Sequence, residues 1–147
     1  MKKIAILTAM MMLGTGAAFA ASLTVPFFLD SGAASGTLTP TAGSNTFIAI
    51  KNNTGDDIIV EVVYTKNDGT DATPALNSFT LAASQTLGFR PFADDAVGEG
   101  PGAGVPNATF NRGSAKFTWV GDPSDIQGRL AEYQTNGSFS YLLPPGI

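Results

Sequence analysis

The chain has 147 residues, 8 Lys plus Arg against 12 Asp plus Glu, and neither cysteine nor histidine. Without a thiol or an imidazole it has no disulfide, no thiolate nucleophile, no Cys- or His-ligated metal, and no Ser-His-Asp or Cys-His machinery. A net charge of −4 lacks the Lys/Arg footprint on which binding to nucleic acid rests.

The first twenty residues read MKKIAILTAMMMLGTGAAFA. Lys2 and Lys3 form a positive start, Ile4 to Leu13 an apolar stretch, and Ala18-Phe19-Ala20 a small-x-small cleavage site, the pattern of a bacterial secretory signal peptide cut after Ala20. The apolar stretch is shorter than the roughly 20 residues of a membrane span, and no other segment reaches that length. No membrane span is therefore expected, and without cysteine there is no lipid anchor at the cleavage site. Residues 21–147 then form one domain, secreted or periplasmic, and loss of Lys2 and Lys3 moves the net charge from −4 to −6.

From Ala21 onward, alternation of period two dominates. Leu23, Val25, Phe27 and Leu29 share one face of a first strand, and Pro26 assigns that strand to a sheet edge or lets it cross between sheets. In TFIAIKN, Phe47 and Ala49 oppose Ile48 and Ile50. In DIIVEVVYT, Ile58, Val60, Val62 and Tyr64 share a face, which reads as a central β-branched strand. The intervening NNTGDD suggests that residues 46–65 form a hairpin, and TKNDGTD ends its second strand with a turn. Further strands are expected at 78–82 with Phe79 and Leu81 inward, at 86–92 with Leu87 and Phe89 inward, and at 115–120 with Ala115, Phe117 and Trp119 inward. Two weaker ones fall at 126–133 and 139–143. In the first of these, Ile126, Leu130 and Tyr133 also fit helical spacing, but Gly128 argues for strand.

Many short strands punctuated by Gly, Pro, Asn and Asp indicate an all-β chain: a single-domain antiparallel β-sandwich of about seven or eight strands. The arrangement resembles the immunoglobulin-like sandwiches of secreted bacterial modules, or a jelly roll. The Cys…Trp…Cys signature of antibody domains is absent, so the resemblance implies architecture and no activity.

Between the fifth and sixth strands lies RPFADDAVGEGPGAGVPNATFNRGS, residues 90–114, with almost no apolar period. Asp94, Asp95 and Glu99 are hard oxygen ligands that suit calcium, although their spacing matches no EF-hand, and a plain solvated connection is the favoured explanation of the segment. Asp56 and Asp57 lie roughly 26 Å of strand away from Asp68 and Asp71, so the pairs cannot share one ion, and turn chemistry accounts for both. Asp122 to Asp125 likewise reads as a turn with Pro123 and Ser124 at its corners. Arg90 and Arg129 each call for a carboxylate partner on a sheet face.

Two carboxyls about 5–9.5 Å apart suffice for glycoside hydrolysis, but nearly all of the acidic residues fall in expected loops, turns or strand ends. Tyr133 and Tyr141, on the weaker strands, are the aromatic candidates for a sugar-stacking surface. Ala21 to Asp30, followed by the small-residue run SGAASGTLTPTAGSN, either folds into its own sandwich or inserts into a neighbour's edge. The sequence thus points to a non-enzymatic protein with a structural or binding role at the cell envelope or in the extracellular matrix. The partner is a protein, a polysaccharide or a second copy, and no cofactor other than calcium is suggested.

Overall fold

Side chains that alternate along extended backbone can hide one face each only if two sheets stack, and that is what the chain does. The computed structural model describes residues 20–32, 38–93 and 104–145. Within them run eight strands: β1 (Ala20–Leu29), β2 (Ser44–Asn52), β3 (Ile58–Lys66), β4 (Ser78–Leu81), β5 (Thr86–Phe89), β6 (Arg112–Val120), β7 (Ile126–Gln134) and β8 (Gly137–Leu143). They form two antiparallel four-stranded sheets, ordered β1-β6-β3-β4 and β5-β2-β7-β8. Residues 1–19, all but the last residue of the expected signal peptide, and the acidic trio Asp94, Asp95 and Glu99 lie outside the described residues, whereas Ala20 opens β1 opposite Val120.

The inward faces follow the alternation. Val60, Val62 and Tyr64 of β3, Leu81 of β4, Phe89 of β5 and Ala115, Phe117 and Trp119 of β6 are all buried. The central position of β3, between β6 and β4, matches its β-branched composition. Phe89 and Phe117 meet edge to face across the two sheets, with ring centroids 5.9 Å apart. Residues 126–134 are strand rather than helix, and Gly128 has a packing reason: a Cβ there would lie 2.3 Å from Leu23 of the opposite sheet. Leu23 fills the space that a side chain would take.

Two expectations are corrected. The face of β1 does not continue past Pro26. Val25 pairs with Ala115 but Phe28 with Gly113, so one extra residue is accommodated on β1 as a bulge. Phe28 is consequently buried, edge-on to Tyr64, while Phe27 is 49% exposed. Proline cannot donate to a ladder, and the irregularity falls where that donor is missing. β1 is an edge strand, and past the bulge it bends toward the second sheet, where Leu29 exchanges backbone hydrogen bonds with the Thr46 hydroxyl on β2.

Nor is 46–65 a hairpin. β2 and β3 belong to different sheets, and NNTGDD is an arch between them. What holds the arch is Asn52, fully buried at the end of β2. Its amide nitrogen donates to the carbonyls of Asp56, Leu81 and Ala82 at 2.7, 3.1 and 3.0 Å, and its oxygen accepts from the backbone and hydroxyl of Thr54, both at 2.8 Å. One side chain thereby holds the β2–β3 arch against the β4–β5 arch. Both connections pass from sheet to sheet at this end, and the carbonyls that they turn toward Asn52, that of Leu81 buried, are satisfied.

Candidate functional site

The charged side chains sort into those that build the frame and those that remain at the surface. Asp30, at the end of β1, and Arg90, just past β5, form a fully buried ion pair. Arg90 Nε and Nη2 donate to Asp30 Oδ1 at 2.8 and 2.5 Å, and Nη2 also donates to the carbonyl of Gly32 at 2.7 Å. The other carboxylate oxygen accepts from the backbone N–H groups of Phe92 and Ala93 at 3.0 and 3.1 Å. The Asp30 N–H in turn donates to the carbonyl of Asn111. Asp30 therefore holds both roots of the 90–111 segment. Burial pushes the Asp30 carboxyl above its ordinary range, against the opposing pull of Arg90 and the two backbone donors.

The far part of that segment is not a free loop. Val105 and Ala108 are buried in the core, and the Tyr64 hydroxyl donates to the Pro106 carbonyl at 2.9 Å. Thr109 donates to Ala72 through both its backbone and its hydroxyl. Residues 105–109 close one end of the sandwich.

The remaining acidic pairs act in turns. Asp68 accepts from the backbone and hydroxyl of Thr70, and Asp71 from the backbone of Thr73. Asp57 accepts from the Ala83 N–H. Asp122 and Asp125 form a reciprocal capping box around a 3₁₀ turn, Pro123–Asp125, the corner expected there. These hydrogen bonds, which favour the charged form, lower the carboxyls of Asp68, Asp71 and Asp122 below the usual range. Among the described residues Arg129 meets no carboxylate on its sheet face, and it donates to the Ser140 hydroxyl at 2.7 Å. Among the described residues no group of three or more acidic side chains is placed to hold a metal ion.

The surface that stands apart is the hairpin of β7 and β8. Partners across an antiparallel pair share a face. Tyr141 lies opposite Leu130 and Phe139 opposite Glu132, so both aromatics are on the inner face, whereas Tyr133 lies opposite Ser138 on the outer face. The two tyrosines expected to make one sugar-stacking surface are thus on opposite sides of the sheet. Tyr133 is half-buried and edge-on to Phe47, at 5.8 Å. Tyr141 instead has Phe139 as neighbour: their rings are parallel within 4°, with centroids 6.4 Å apart.

Although they are on the inner face, Phe139 is 51% and Tyr141 39% exposed. β1 covers β8 only near its C-terminal end, where Pro145 bridges to Leu23, before β1 bends away to β2. Beside the uncovered rings lies Glu132, buried and accepting from the Ser44 hydroxyl and the Gln134 amide, each at 2.7 Å. Burial, and secondarily the Glu132 charge, raise the Tyr141 phenol above its usual value. The outcome is a ledge of two flat rings with a fixed acceptor at its back. It can stack against planar apolar surface.

Hollows also open on the described surface, among them one of about 290 Å³ over Ala49, Thr86, Arg129 and Leu142. Another of about 540 Å³ is bordered by Asn53, Pro123, Ile126, Leu142 and Pro145. A third, about 630 Å³, is bordered by Ile59, Glu61, Trp119 and Val120. Among the described residues no helix is long and apolar enough to cross a membrane. Compared with family models, with curated proteins and with solved structures, the chain matches none.

Proposed function

We propose that the chain is an exported, non-catalytic β-sandwich that serves at the bacterial envelope or in the extracellular matrix by presenting surface to other molecules. The observation that carries this reading is the Phe139–Tyr141 ledge: two large rings, 51% and 39% exposed, on a sheet face that elsewhere is covered. Desolvating such rings favours a partner over water. The division of labour among the carboxylates supports it, since Asp30, Glu132, Asp122 and Asp125 each already serve a structural hydrogen-bond partner. The test is cell fractionation followed by co-sedimentation. A tagged chain is expected in the periplasm, on the surface or in the medium, cut after Ala20, and to pellet with envelope or matrix material. An uncut cytoplasmic chain, or an exported one that pellets with neither, overturns the reading.

Carbohydrate binding is the second reading, favoured by the parallel rings and the acceptor on Glu132 beside them. It moves from the Tyr133 and Tyr141 pair to Tyr141 with Phe139. Retention on insoluble polysaccharide is then lost in Tyr141→Ala and kept in Tyr133→Ala; equal retention by all three proteins rejects it.

A further inference from the structure

The two sheets have four edges, and they are not alike. β4 and β5 are four residues long each. β1 is interrupted by Pro26 and its bulge, and Pro145 lies against it at Leu23. Short strands, proline and bulges are how proteins prevent edges from pairing. β8 has none of these. Its seven residues, GSFSYLL, contain no proline and no charge, and they pair with β7 in unbroken register from Gly137 to Leu143.

The geometry of that register fixes which groups are available. A two-residue turn makes Gln134 and Gly137 a hydrogen-bonded pair, and hydrogen-bonded and open pairs then alternate along the ladder. Ser138, Ser140 and Leu142 therefore direct their N–H and C=O groups away from β7. Among the described residues no strand is paired to that side.

We propose that β8 is the pairing edge of a homodimer, in which two copies of this chain join β8 to β8, antiparallel, about a two-fold axis through Ser140. Self-pairing demands a strand complementary to itself. Centred on Ser140, the register sets Phe139 of each copy opposite Tyr141 of the other, on the face left uncovered by β1, and Ser138 opposite Leu142. Aromatic pairs directly across an antiparallel ladder are among the favourable ones. The axis also aligns the outward N–H and C=O of Ser140 with those of its own copy. Charge restricts the place: two copies, each of net charge −4 as the full chain and −6 once cut after Ala20, repel over most of their surface, and β8 brings no like charges into register. Arg129, which reaches the Ser140 hydroxyl on the outer face, does approach its counterpart across the axis. Added salt should therefore tighten the dimer by screening both repulsions. For an edge-to-edge contact smaller than a standard interface, we set the expected dissociation constant at about 100 μM or tighter.

This inference goes beyond the function proposed above and needs only the purified chain. Sedimentation equilibrium is expected to show a monomer–dimer equilibrium that shifts toward dimer between 50 and 500 mM salt, both approximate settings chosen to bracket the screening range. Ser140→Pro removes an N–H that serves only the free edge, and should weaken association at least tenfold, a figure of about 1.4 kcal/mol. If that variant fails to fold, Ser140→Lys sets like charges at the axis and keeps the test open. The chain has no cysteine, so Ser140→Cys should form a disulfide-linked dimer on mild oxidation, faster than the exposed Leu76→Cys control. A chain that stays monomeric at about 0.5 mM, well above that dissociation constant, overturns the proposal. So does a dimer indifferent to Ser140 but lost on deleting 21–30, which is strand exchange. A monomer that still pellets with envelope material would refute the pairing and leave the proposed function standing.

Discussion

Asn52 and the Asp30–Arg90 pair are the polar residues on which the interior depends, and they respond differently to substitution. Asn52 satisfies carbonyls of two arches, so Asn52→Ala strands them and should destabilise the chain by about 3 kcal/mol. Asn52→Asp should be worse, since it removes the donor and buries a charge among carbonyl oxygens; urea denaturation of the two variants checks the order. Asp30→Ala and Arg90→Met should each cost about 3–5 kcal/mol by leaving an unpaired buried charge, while the double variant recovers part of the loss. Equal losses for the singles and the double would mean that the bonds to Gly32, Phe92 and Ala93 matter more than the ion pair. The role of Asn52 was not legible in the sequence, and of Arg90 only the need for a carboxylate was, not that Asp30 supplies it in the interior. Asn52 stands in a turn-rich run where its type is ordinary, and the partner of Arg90 lies 60 positions away.

At the scale of the element, alternation identified what each strand buries wherever the ladder is regular. β3 and β6 carry the inward residues read from sequence, because nothing interrupts their pairing with each other from Glu61 to Lys66. β1 departs after Pro26, since one extra residue exchanges inside for outside. The assumed hairpin at 46–65 failed for a different reason: the turn signal in NNTGDD is genuine, but a turn does not reveal whether the chain returns beside itself or rises to the other sheet. Gly113 illustrates what the pattern omits. It has φ +155°, and a Cβ there would lie 2.0 Å from the Thr65 carbonyl oxygen, so Gly113→Ala should lower thermal stability by about 2–4 kcal/mol, read by calorimetry. The ledge was half legible: Tyr141 was a candidate, while its pairing with Phe139 rather than Tyr133 depends on the register of a hairpin.

For the whole molecule the acid limit of stability follows from the turns. Asp68, Asp71 and Asp122 have carboxyls lowered from 3.8 by hydrogen bonds in the folded state. In the range just below that value the unfolded chain binds protons that the folded one does not. Their contribution is complete above about pH 4 and is lost as pH falls through the lowered folded-state values. Asp30 has the opposite sign. Its carboxyl is raised, so what it contributes is present below 3.8 and declines as pH rises through its folded value. Changing the three turn aspartates to asparagine, which accepts the same bonds without titrating, should flatten the fall in melting temperature below pH 4. Asp30→Asn should leave that fall in place.

One feature reaches beyond the native chain. Asp30 grips Phe92 and Ala93 on one side and Asn111 on the other, so the frame fixes the spacing of the two anchor points, and the buried Val105 and Ala108 tie down the far part of the segment. Foreign peptides spliced after Ala93 should alter the melting point little and be carried as cargo, which would make this cysteine-free sandwich a carrier for displayed epitopes.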